Sequence, residues 1–580
     1  MSAESKRTLI AGARRIAIAG LVLLIIWLGL FALRGAISTG TIELMNQQMS
    51  AQTPRPPPLP LNPWTWDWSK SLFTGKTVAE ALAPRTATTI GLMAFGGLVS
   101  LVLAGILLLI GMLIARATNL PGWLARTRSV LGLIVVSGGA SLPAYLVGAF
   151  LAVYAVIWFG TGSQNRLSPG QNLFWSIVTL SLLPAWLLVQ HGLAEMKSFG
   201  ERQRIFDPQL WRHLGISLAA RLLQLAGAVA VVTVFVEQTW LRPGLGNQMV
   251  TAVNLRDFPV LFGVVWTFAA IVVVAKLAGD LVEIAYRRLG NPQPELRPIM
   301  PATEPRGIPR WWLYVCLGLV VVSLLVAIAA PLIAPQGYNE MVLGARLQAP
   351  SAQHLLGTDN LGRDILSRLV YGLRTDILGA VLAVLIMAVL AVAWAMLAAH
   401  VRKGDNARGD TGRDLVMLPR DILCALPWLV LILFGVAFIG MASGPVPPIL
   451  FSVPATLVIS LALLPRAAGI MREASLMPAG GPWLKPLLKS IPVMLVFAVA
   501  GGILYLATIS YLGLGVYPPA PELGSMLAGP SRRYMLQAPW MAAWPAVAIM
   551  VLLTSWVMAG QMLSDKLGFN NKALWSKIWE

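Results

Sequence analysis

Residues 355–377 read LLGTDNLGRDILSRLVYGLRTDI, a polar and glycine-rich stretch set directly before a long apolar run. That run, from about residue 376 to residue 399, is long enough to cross a bilayer as a helix. Three interpretations are open: a catalytic site, a ligand-binding loop, or a structural element at the mouth of a membrane helix. The charged residues of the stretch are Asp359, Arg363, Asp364, Arg368, Arg374 and Asp376.

The composition of the 580-residue chain is that of an integral membrane protein. Hydrophobic residues make up 57% and charged residues only 12%, far from the balance of a soluble domain. The net charge of +19 fits Lys and Arg that hold loops in the cytoplasm, so we expect no nucleic-acid partner. Both cysteines, Cys316 and Cys424, lie in or beside apolar runs, which leaves no disulfide framework and no cysteine metal site.

Apolar runs of about 20 residues recur along the chain and predict transmembrane helices. They give about twelve helices in two sets of six, an all-α polytopic membrane protein. A Pro-rich cytoplasmic linker, residues 287–310, separates a first half, 1–286, from a second half, 311–580. The predicted spans lie at about 16–33, 88–115, 128–158, 171–190, 215–236, 259–284, 311–334, 376–399, 421–441, 448–465, 490–512 and 541–562.

The loops predict the orientation of the chain. Lys and Arg are about twice as frequent in alternate loops that start with the N-terminus, which places both termini in the cytoplasm. The basic N-terminus and the uncleaved apolar run behind it indicate a retained signal anchor. PGLGN at Pro243–Asn247 and YLGLGV at Tyr511–Val516 follow the fifth helix of each half, so we expect two parallel six-helix repeats around a central pathway.

Several segments resemble the permease subunits of dipeptide/oligopeptide/nickel-type ABC importers, here fused into one chain. Residues 355–377 are similar to the family segment before its second helix. The last outer loop and the final helix of the family resemble two further stretches, YLGLGVYPPAPELGSMLA and APWMAAWPAVAI. In the first half, VEQTWLRPGLGNQMVTAVNLRDFPV, Val236 to Val260, and DWSKSLFTGKTVAEAL resemble the partner subunit. The resemblance implies the type I ABC importer transmembrane fold and a place in the bacterial inner membrane.

The resemblance also implies partners. Two ATPase subunits, a homodimer or a heterodimer, would bind ATP and Mg, while this chain would hold no cofactor. A periplasmic or lipid-anchored binding protein would deliver peptides or related small solutes. A coupling helix in an inner loop would dock on the ATPase. Its residues in the second half are Arg472, Glu473, Ala474, Gly480 and Pro492, and those in the first half are Arg202, Arg204 and His213.

The first-half coupling loop lacks the Glu-Ala-Ala pattern, so we hypothesise asymmetric coupling to the two ATPases. The resemblance further places an outer gate or a binding-protein dock on a second set of residues. We expect Asp359 to cap a short helix beginning near Leu361, and Lys276 to pair with Asp280. The dock residues are Asp359, Arg363, Asp364, Arg368, Gly244, Gly246, Gly513 and Gly515.

The chain shows no sign of enzyme chemistry. GKT at Gly75–Thr77 lacks the glycine that a P-loop needs five residues earlier, where Lys70 stands. The four histidines are scattered without metal-ligand spacing, so we expect neither catalytic nor metal-binding residues. The alternative function is a secondary transporter driven by an ion gradient, which should carry ionisable residues inside its helices.

Overall fold

The chain is described by a computed structural model that covers residues 3–36, 70–71, 74–116, 144–159, 168–198, 207–255, 257–288, 310–401, 427–439, 484–516, 519–528, 530–534 and 537–566. These residues form helices joined by turns. Over the covered ranges no strand forms, and the β pairing consists of two isolated bridges, Lys70 with Thr77 and Thr358 with Asp364. The predicted all-α class is confirmed.

The first half of the chain forms helices of very different lengths. Four of them have 30 residues or more, and the other four have 11 to 17. They are α1 (Ala3–Ala36), α2 (Val78–Arg116), α3 (Ala144–Phe159), α4 (Pro169–Ser198), α5 (Pro208–Gln224), α6 (Ala226–Thr239), α7 (Leu245–Leu255) and α8 (Phe258–Arg288).

The second half also combines long and short helices in the part that the structure covers. A 3-10 turn, Leu343–Ala345, lies in the segment before its second long helix. The helices are α9 (Arg310–Ile333), α10 (Ile365–Val401), α11 (Trp428–Ile439), α12 (Leu484–Tyr511), α13 (Leu523–Leu527), α14 (Pro530–Arg533) and α15 (Trp540–Lys566).

The helices agree with the predicted spans in position, and the chain is a multi-pass membrane protein. Every predicted span except that at 448–465, which lies outside the described residues, coincides wholly or partly with a helix. Among the described helices, seven are long and apolar enough to cross a membrane, and an eighth span is possible if a bent pair counts as one. The total of twelve therefore stays a prediction, as does the boundary of the 287–310 linker.

The bent pair is a feature that the sequence did not predict. Residues 215–236 read as one apolar run, but α5 and α6 meet at Leu225 with a bend of 64°. Hydropathy stays high across Leu225, so an average over a window of residues does not detect the change in backbone direction.

The start of α5 is capped by Asp207, which accepts a hydrogen bond from the Gln209 amide at 2.9 Å. Pro208 occupies the first turn of the helix.

The helices differ in how far they are buried, which separates central from peripheral positions. In α12, 89% of the most apolar window is buried, whereas in α9 the share is 22%. Leu332 and Ile328 on α9 point outward, as expected of side chains that face lipid. At the centre, Tyr505 of α12 stacks on Trp428 of α11 with ring centroids 4.2 Å apart.

Candidate functional site

The turn before α10 is organised around the carboxylate of Asp359. Its Oδ1 accepts hydrogen bonds from the backbone amides of Leu361 (2.8 Å) and Arg363 (3.0 Å). Its Oδ2 forms an ion pair with Arg363 Nε at 2.7 Å. Gly362 adopts a φ of +76° there, and a Cβ on it would lie 2.1 Å from the Val342 carbonyl oxygen. Arg363 thus pairs with the carboxylate four residues before it.

The cap of α10 is Asp364 rather than Asp359. No helix begins near Leu361, and α10 begins at Ile365. The carboxylate oxygens of Asp359 instead bind the amides and the arginine that close the turn. Asp364 Oδ2 accepts from the amide of Ser367 at 2.8 Å and from its hydroxyl at 2.9 Å. Its Oδ1 faces Nδ1 of His354 at 3.1 Å. The predicted role of Asp359 as a helix cap was therefore wrong.

Arg368 connects this turn to a distant loop. Its Nη1 donates to the carbonyl oxygens of Tyr338 at 3.2 Å and Pro519 at 3.4 Å. Its Nε lies 3.7 Å from Asp359 Oδ2. The side chains of Asp359, Arg363 and Arg368 thus form one network, and Asp364 joins it through its backbone oxygen, which accepts from the Arg368 amide at 3.2 Å.

A first-half cluster forms where α6 turns into α7, from Thr89, Glu237, Leu245 and Gly246. Glu237 is fully buried, and its Oε2 accepts from the Gly246 amide at 2.7 Å. Thr89 on α2 donates to Glu237 Oε1 at 2.6 Å and accepts from the Leu245 amide at 2.8 Å. A Cβ on Gly244 would lie 2.0 Å from Glu237 Oε1, so this glycine makes room for the carboxylate.

A second-half cluster forms at the start of α13, from Asp376, Ser510, Glu522 and Leu523. Glu522 Oε2 accepts from the Ser510 hydroxyl at 2.5 Å and from the Val516 amide at 2.8 Å. Asp376 on α10 accepts from the Leu523 amide at 3.2 Å through Oδ2. Burial raises the pKa of Glu522 to about 7, against the hydrogen bonds from Ser510 and Val516, which lower it.

The two clusters occupy equivalent places in the two halves. The backbone amide of Leu245 bonds to Thr89 on α2, and that of Leu523 bonds to Asp376 on α10. The glycine that follows each leucine lies against the preceding helix. A Cβ on Gly246 would lie 2.6 Å from Val234 Cα, and one on Gly524 would lie 1.9 Å from the Ala507 carbonyl oxygen.

This equivalence corrects the register of the predicted repeat. The sequence suggested that LGLG near Gly513 and Gly515 matches PGLG near Gly244 and Gly246. The contacts instead match Pro243–Gly246 with Pro521–Gly524. Gly513 serves a turn with a φ of +82°, and Gly515 lies against Glu522, where a Cβ would be 2.0 Å from Oε2.

The two halves touch beside these clusters. The hydroxyls of Thr239, at the end of α6, and Tyr511, at the end of α12, are 3.2 Å apart. The ring of Phe235 lies 6.4 Å from the ring of Tyr511. We call these three residues the seam, because they join the ends of α6 and α12 across the halves.

A third polar cluster lies away from the seam and contains His213. The side chain of His213 is buried, with Nδ1 2.9 Å from the Tyr286 hydroxyl and Nε2 3.2 Å from Glu195 Oε2. His191 lies 2.8 Å from the Ser217 hydroxyl and 3.7 Å from Glu195 Oε1. These contacts join α4, α5 and α8, with Glu195 near the end of α4 and His213 near the start of α5.

Of the other predicted coupling residues, the structure describes Pro492. Pro492 lies within α12, exposed on its surface. The remaining residues, Arg202, Arg204, Arg472, Glu473, Ala474 and Gly480, lie outside the described residues. On α8, Asp280 pairs with Arg15 of α1 at 2.5 Å and accepts from Gln224 Nε2 at 3.2 Å. The expected pair of Lys276 with Asp280 stays a prediction.

The sequence analysis did not single out the buried polar residues that build the two clusters: Thr89, Glu237, Asp376 and Glu522. The available signal was the motif Pro-x-Leu-Gly, which occurs as Pro243–Gly246 and Pro521–Gly524. Within the ranges that the structure covers, no group of His, Cys, Asp and Glu is arranged to hold a metal ion. The clusters fix turns between helices, which suits a moving helix bundle.

Comparison with known proteins finds relatives for about one half of the chain. No protein-family model matches it. The dipeptide transport system permease protein DppC of Alkalihalophilus pseudofirmus is 30% identical over 269 residues, 43% of this chain and 84% of the relative. The di/tripeptide transport system permease protein DppC of Pseudomonas aeruginosa is 32% identical over 274 residues, 43% of this chain and 86% of the relative. The glutathione transport system permease protein GsiD of Pectobacterium atrosepticum is 33% identical over 231 residues, 38% and 74% of the two chains.

Proposed function

Because this chain belongs to the peptide-transport permease family of ABC importers, we propose that it is a fused permease with both transmembrane halves in one polypeptide. The observation that carries the proposal is the identity of 30% to a dipeptide permease over 84% of that relative's length. The aligned length is that of one half. The other half then supplies the second permease that the pathway requires.

The internal repeat supports the fusion. Thr89 with Leu245 in the first half and Asp376 with Leu523 in the second make the same helix-to-turn contact. Two units with the same contacts, joined at the seam of Thr239 and Tyr511, fit two permeases that enclose a pathway. The cargo is peptides or related small solutes, in keeping with the printed names of the relatives.

The mechanism uses conformational change rather than chemistry in this chain. Two ATPase subunits on the cytoplasmic face bind ATP and Mg, and a binding protein outside the inner membrane delivers the cargo. Both termini lie in the cytoplasm. The seam closes the pathway in one state and parts in the other, and the network around Asp359 and Arg368 holds the turn on which the binding protein docks.

Coupling to the ATPases is assigned to loops on the opposite side. Arg472, Glu473, Ala474 and Gly480 supply the second-half coupling helix. In the first half, Arg202 and Arg204 supply the loop, and His213 with Glu195 braces the helices from which it emerges. Because the buried imidazole of His213 contacts both Tyr286 and Glu195, it fixes α5 against α8 and α4. A displacement of the loop would then move these helices together.

Subunit stoichiometry tests the fusion directly. The chain carries an affinity tag, is coexpressed with the ATPases of its transport system, and is purified in mild detergent. The complex mass measured by native mass spectrometry is expected to equal one copy of this chain with two ATPase subunits. A complex with two copies of this chain and two ATPases would contradict the fused arrangement, and purification without any ATPase would contradict the ABC assignment.

A further inference from the structure

The bend between α5 and α6 has no local cause in the sequence. The two helices meet at Leu225 at an angle of 64°, yet residues 221–229 contain neither proline nor serine. Sharp bends usually occur at proline, at glycine and serine pairs, or where a side chain enters the backbone ladder. Here the Leu225 amide donates to the Arg221 carbonyl oxygen at 2.9 Å, and the Leu225 carbonyl oxygen accepts from the Val229 amide at 3.0 Å. Contacts with other helices must therefore hold the bend.

Gln224, the last residue of α5, ties the inner side of the bend to α8. Its Nε2 donates to Asp280 Oδ1 at 3.2 Å and to Glu283 Oε2 at 3.0 Å. Its Oε1 accepts from Arg221 Nη1 at 3.3 Å. Both donors and the acceptor of the amide are thus in use. We call the contact of Gln224 with Asp280 and Glu283 the clamp.

The two arms of the bend are fastened to different helices. Near its start, α5 is held on α8 by His213, whose Nδ1 lies 2.9 Å from the Tyr286 hydroxyl. Near its end, α6 is held on α2 by Glu237, which accepts from the Thr89 hydroxyl at 2.6 Å. With the clamp open, α5 would still be held at His213 and could turn about that point, so the angle between the arms could change.

The second half has a continuous helix in the corresponding place. Like the bent pair, α12 follows a predicted coupling loop and ends at the seam. It runs from Leu484 to Tyr511 as one helix and continues through Pro492. The half that contains a proline here is thus unbroken, and the half without one is bent. A straight helix is therefore compatible with this position in the fold.

We propose that the joint of α5 and α6 at Leu225 is a hinge, and that Gln224 is the positioning residue that holds it bent. Opening the clamp lets α5 and α6 join into one helix, the form that α12 has. The use of the hinge in transport rests on the proposed function: α5 follows the first-half inner loop, and α6 ends at Thr239 in the seam. The angle at Leu225 then sets how far a displacement of that loop reaches the seam, whereas α12 transmits such a displacement directly.

Distances between spin labels in the full-length chain test the hinge without any transport partner. Gln209→Cys and Gln238→Cys carry the labels near the two ends of the bent pair, in a chain whose native cysteines are replaced by serine. Between these points on the helix axes, the 64° bend gives about 37 Å and a straight helix about 43 Å. Leu378→Cys with Ala393→Cys, both exposed on the single helix α10, is the control pair. Pulsed electron paramagnetic resonance in nanodiscs is the measurement.

Two substitutions at Gln224 separate its hydrogen bonds from its size. Gln224→Met has a similar length but cannot donate to the carboxylates, so the distance between the first pair of labels should increase by about 6 Å. Gln224→Lys can donate to both carboxylates and should keep the shorter distance. The control pair should give one distance throughout. An unchanged distance in Gln224→Met, an equal increase in Gln224→Lys, or the longer distance already in the wild-type chain would overturn the proposal.

A second variant keeps the test decisive if Gln224→Met fails to fold, as judged by gel filtration. In Gly279→Ala, the new Cβ would lie 2.7 Å from the Ala220 carbonyl oxygen and 3.0 Å from Gln224 Cγ, which forces α5 away from α8 at the clamp. The same increase in distance is expected, and an unchanged distance would overturn the proposal. Because neither ATPase nor binding protein is present, a failure of the importer assignment would leave these results unchanged.

Discussion

Thr239 of the first half and Tyr511 of the second half bring their hydroxyl oxygens to within 3.2 Å of each other, at the ends of α6 and α12. Glu237 lies two residues before Thr239 on α6, and Glu522 accepts from the hydroxyl of Ser510, the residue before Tyr511 on α12. The contact between the halves is therefore connected to both clusters. Movement of one half relative to the other must break this hydrogen bond or carry both clusters with it.

Changes at Tyr511 should separate its hydrogen bond from its ring packing. Tyr511→Phe loses the bond to Thr239 but keeps the ring against Phe235, which should cost about 0.5–1.5 kcal/mol of stabilisation at the seam. Tyr511→Ala loses both and should raise basal ATP hydrolysis of the assembled complex more than Tyr511→Phe does. Equal hydrolysis rates in wild type and Tyr511→Ala would show that the seam does not restrain the resting state.

Adding a methyl group at Gly524 should destabilise the chain. Its Cβ would lie 1.9 Å from the backbone oxygen of Ala507, so α13 must shift, at a cost of about 1–3 kcal/mol. Gly105→Ala on α2 is the control, because nothing lies within 4 Å of its Cβ and alanine favours a helix. Thermal unfolding in detergent is the measurement. A midpoint for Gly524→Ala equal to that of Gly105→Ala would refute the close approach of α13 to α12.

The turn before α10 should depend on the acceptor oxygens of Asp359. Asp359→Ala leaves the partly buried amides of Leu361 and Arg363 without that acceptor, which should cost about 1–3 kcal/mol for the two hydrogen bonds together. Asp359→Asn retains Oδ1 and should cost less. Protease cleavage within residues 355–364 should follow the order alanine, asparagine, wild type from fastest to slowest. The reverse order of the two variants would contradict the backbone role of Asp359.

Stability should depend on pH through Glu522. Its pKa moves from 4.5 to about 7 on folding, so between these values the folded chain holds a proton that the unfolded chain has released. The contribution of Glu522 is therefore complete below pH 4.5 and is lost as pH rises through about 7. Glu522→Gln should flatten this fall in unfolding temperature, whereas Glu80→Gln, at an exposed helix start, should not. A slope that is unchanged in Glu522→Gln would refute the assignment.

The coupling hypothesis predicts unequal effects in the two inner loops. Glu473→Ala and Gly480→Ala should uncouple ATP hydrolysis from transport more strongly than Arg202→Ala and Arg204→Ala. The reason is that the second-half loop retains the glutamate and glycine of the family pattern, while the first-half loop has lost them. Comparison of uptake per ATP hydrolysed is the measurement. Equal losses in both loops would defeat asymmetric coupling.

The sequence predicted the helices well because the lengths of apolar runs follow from the thickness of the bilayer. It could not predict the bend at Leu225, where composition does not change. It also could not predict the clusters, since Thr89 meets Glu237 and Asp376 meets Leu523 only after helices far apart in the chain have packed. The similarity of LGLG at Leu512–Gly515 to PGLG at Pro243–Gly246 was misleading. Two segments that share a Leu-Gly repeat can differ in which glycine packs against a helix.

Uptake of a labelled peptide into proteoliposomes tests the central claim most directly. The vesicles contain this chain and its ATPase subunits, with the loaded binding protein outside and nucleotide inside. The account predicts uptake that requires hydrolysable ATP and stops when the ATPase subunits are omitted, with or without an ion gradient. Uptake that persists without ATPase subunits and follows an imposed ion gradient would contradict it and would identify a secondary transporter.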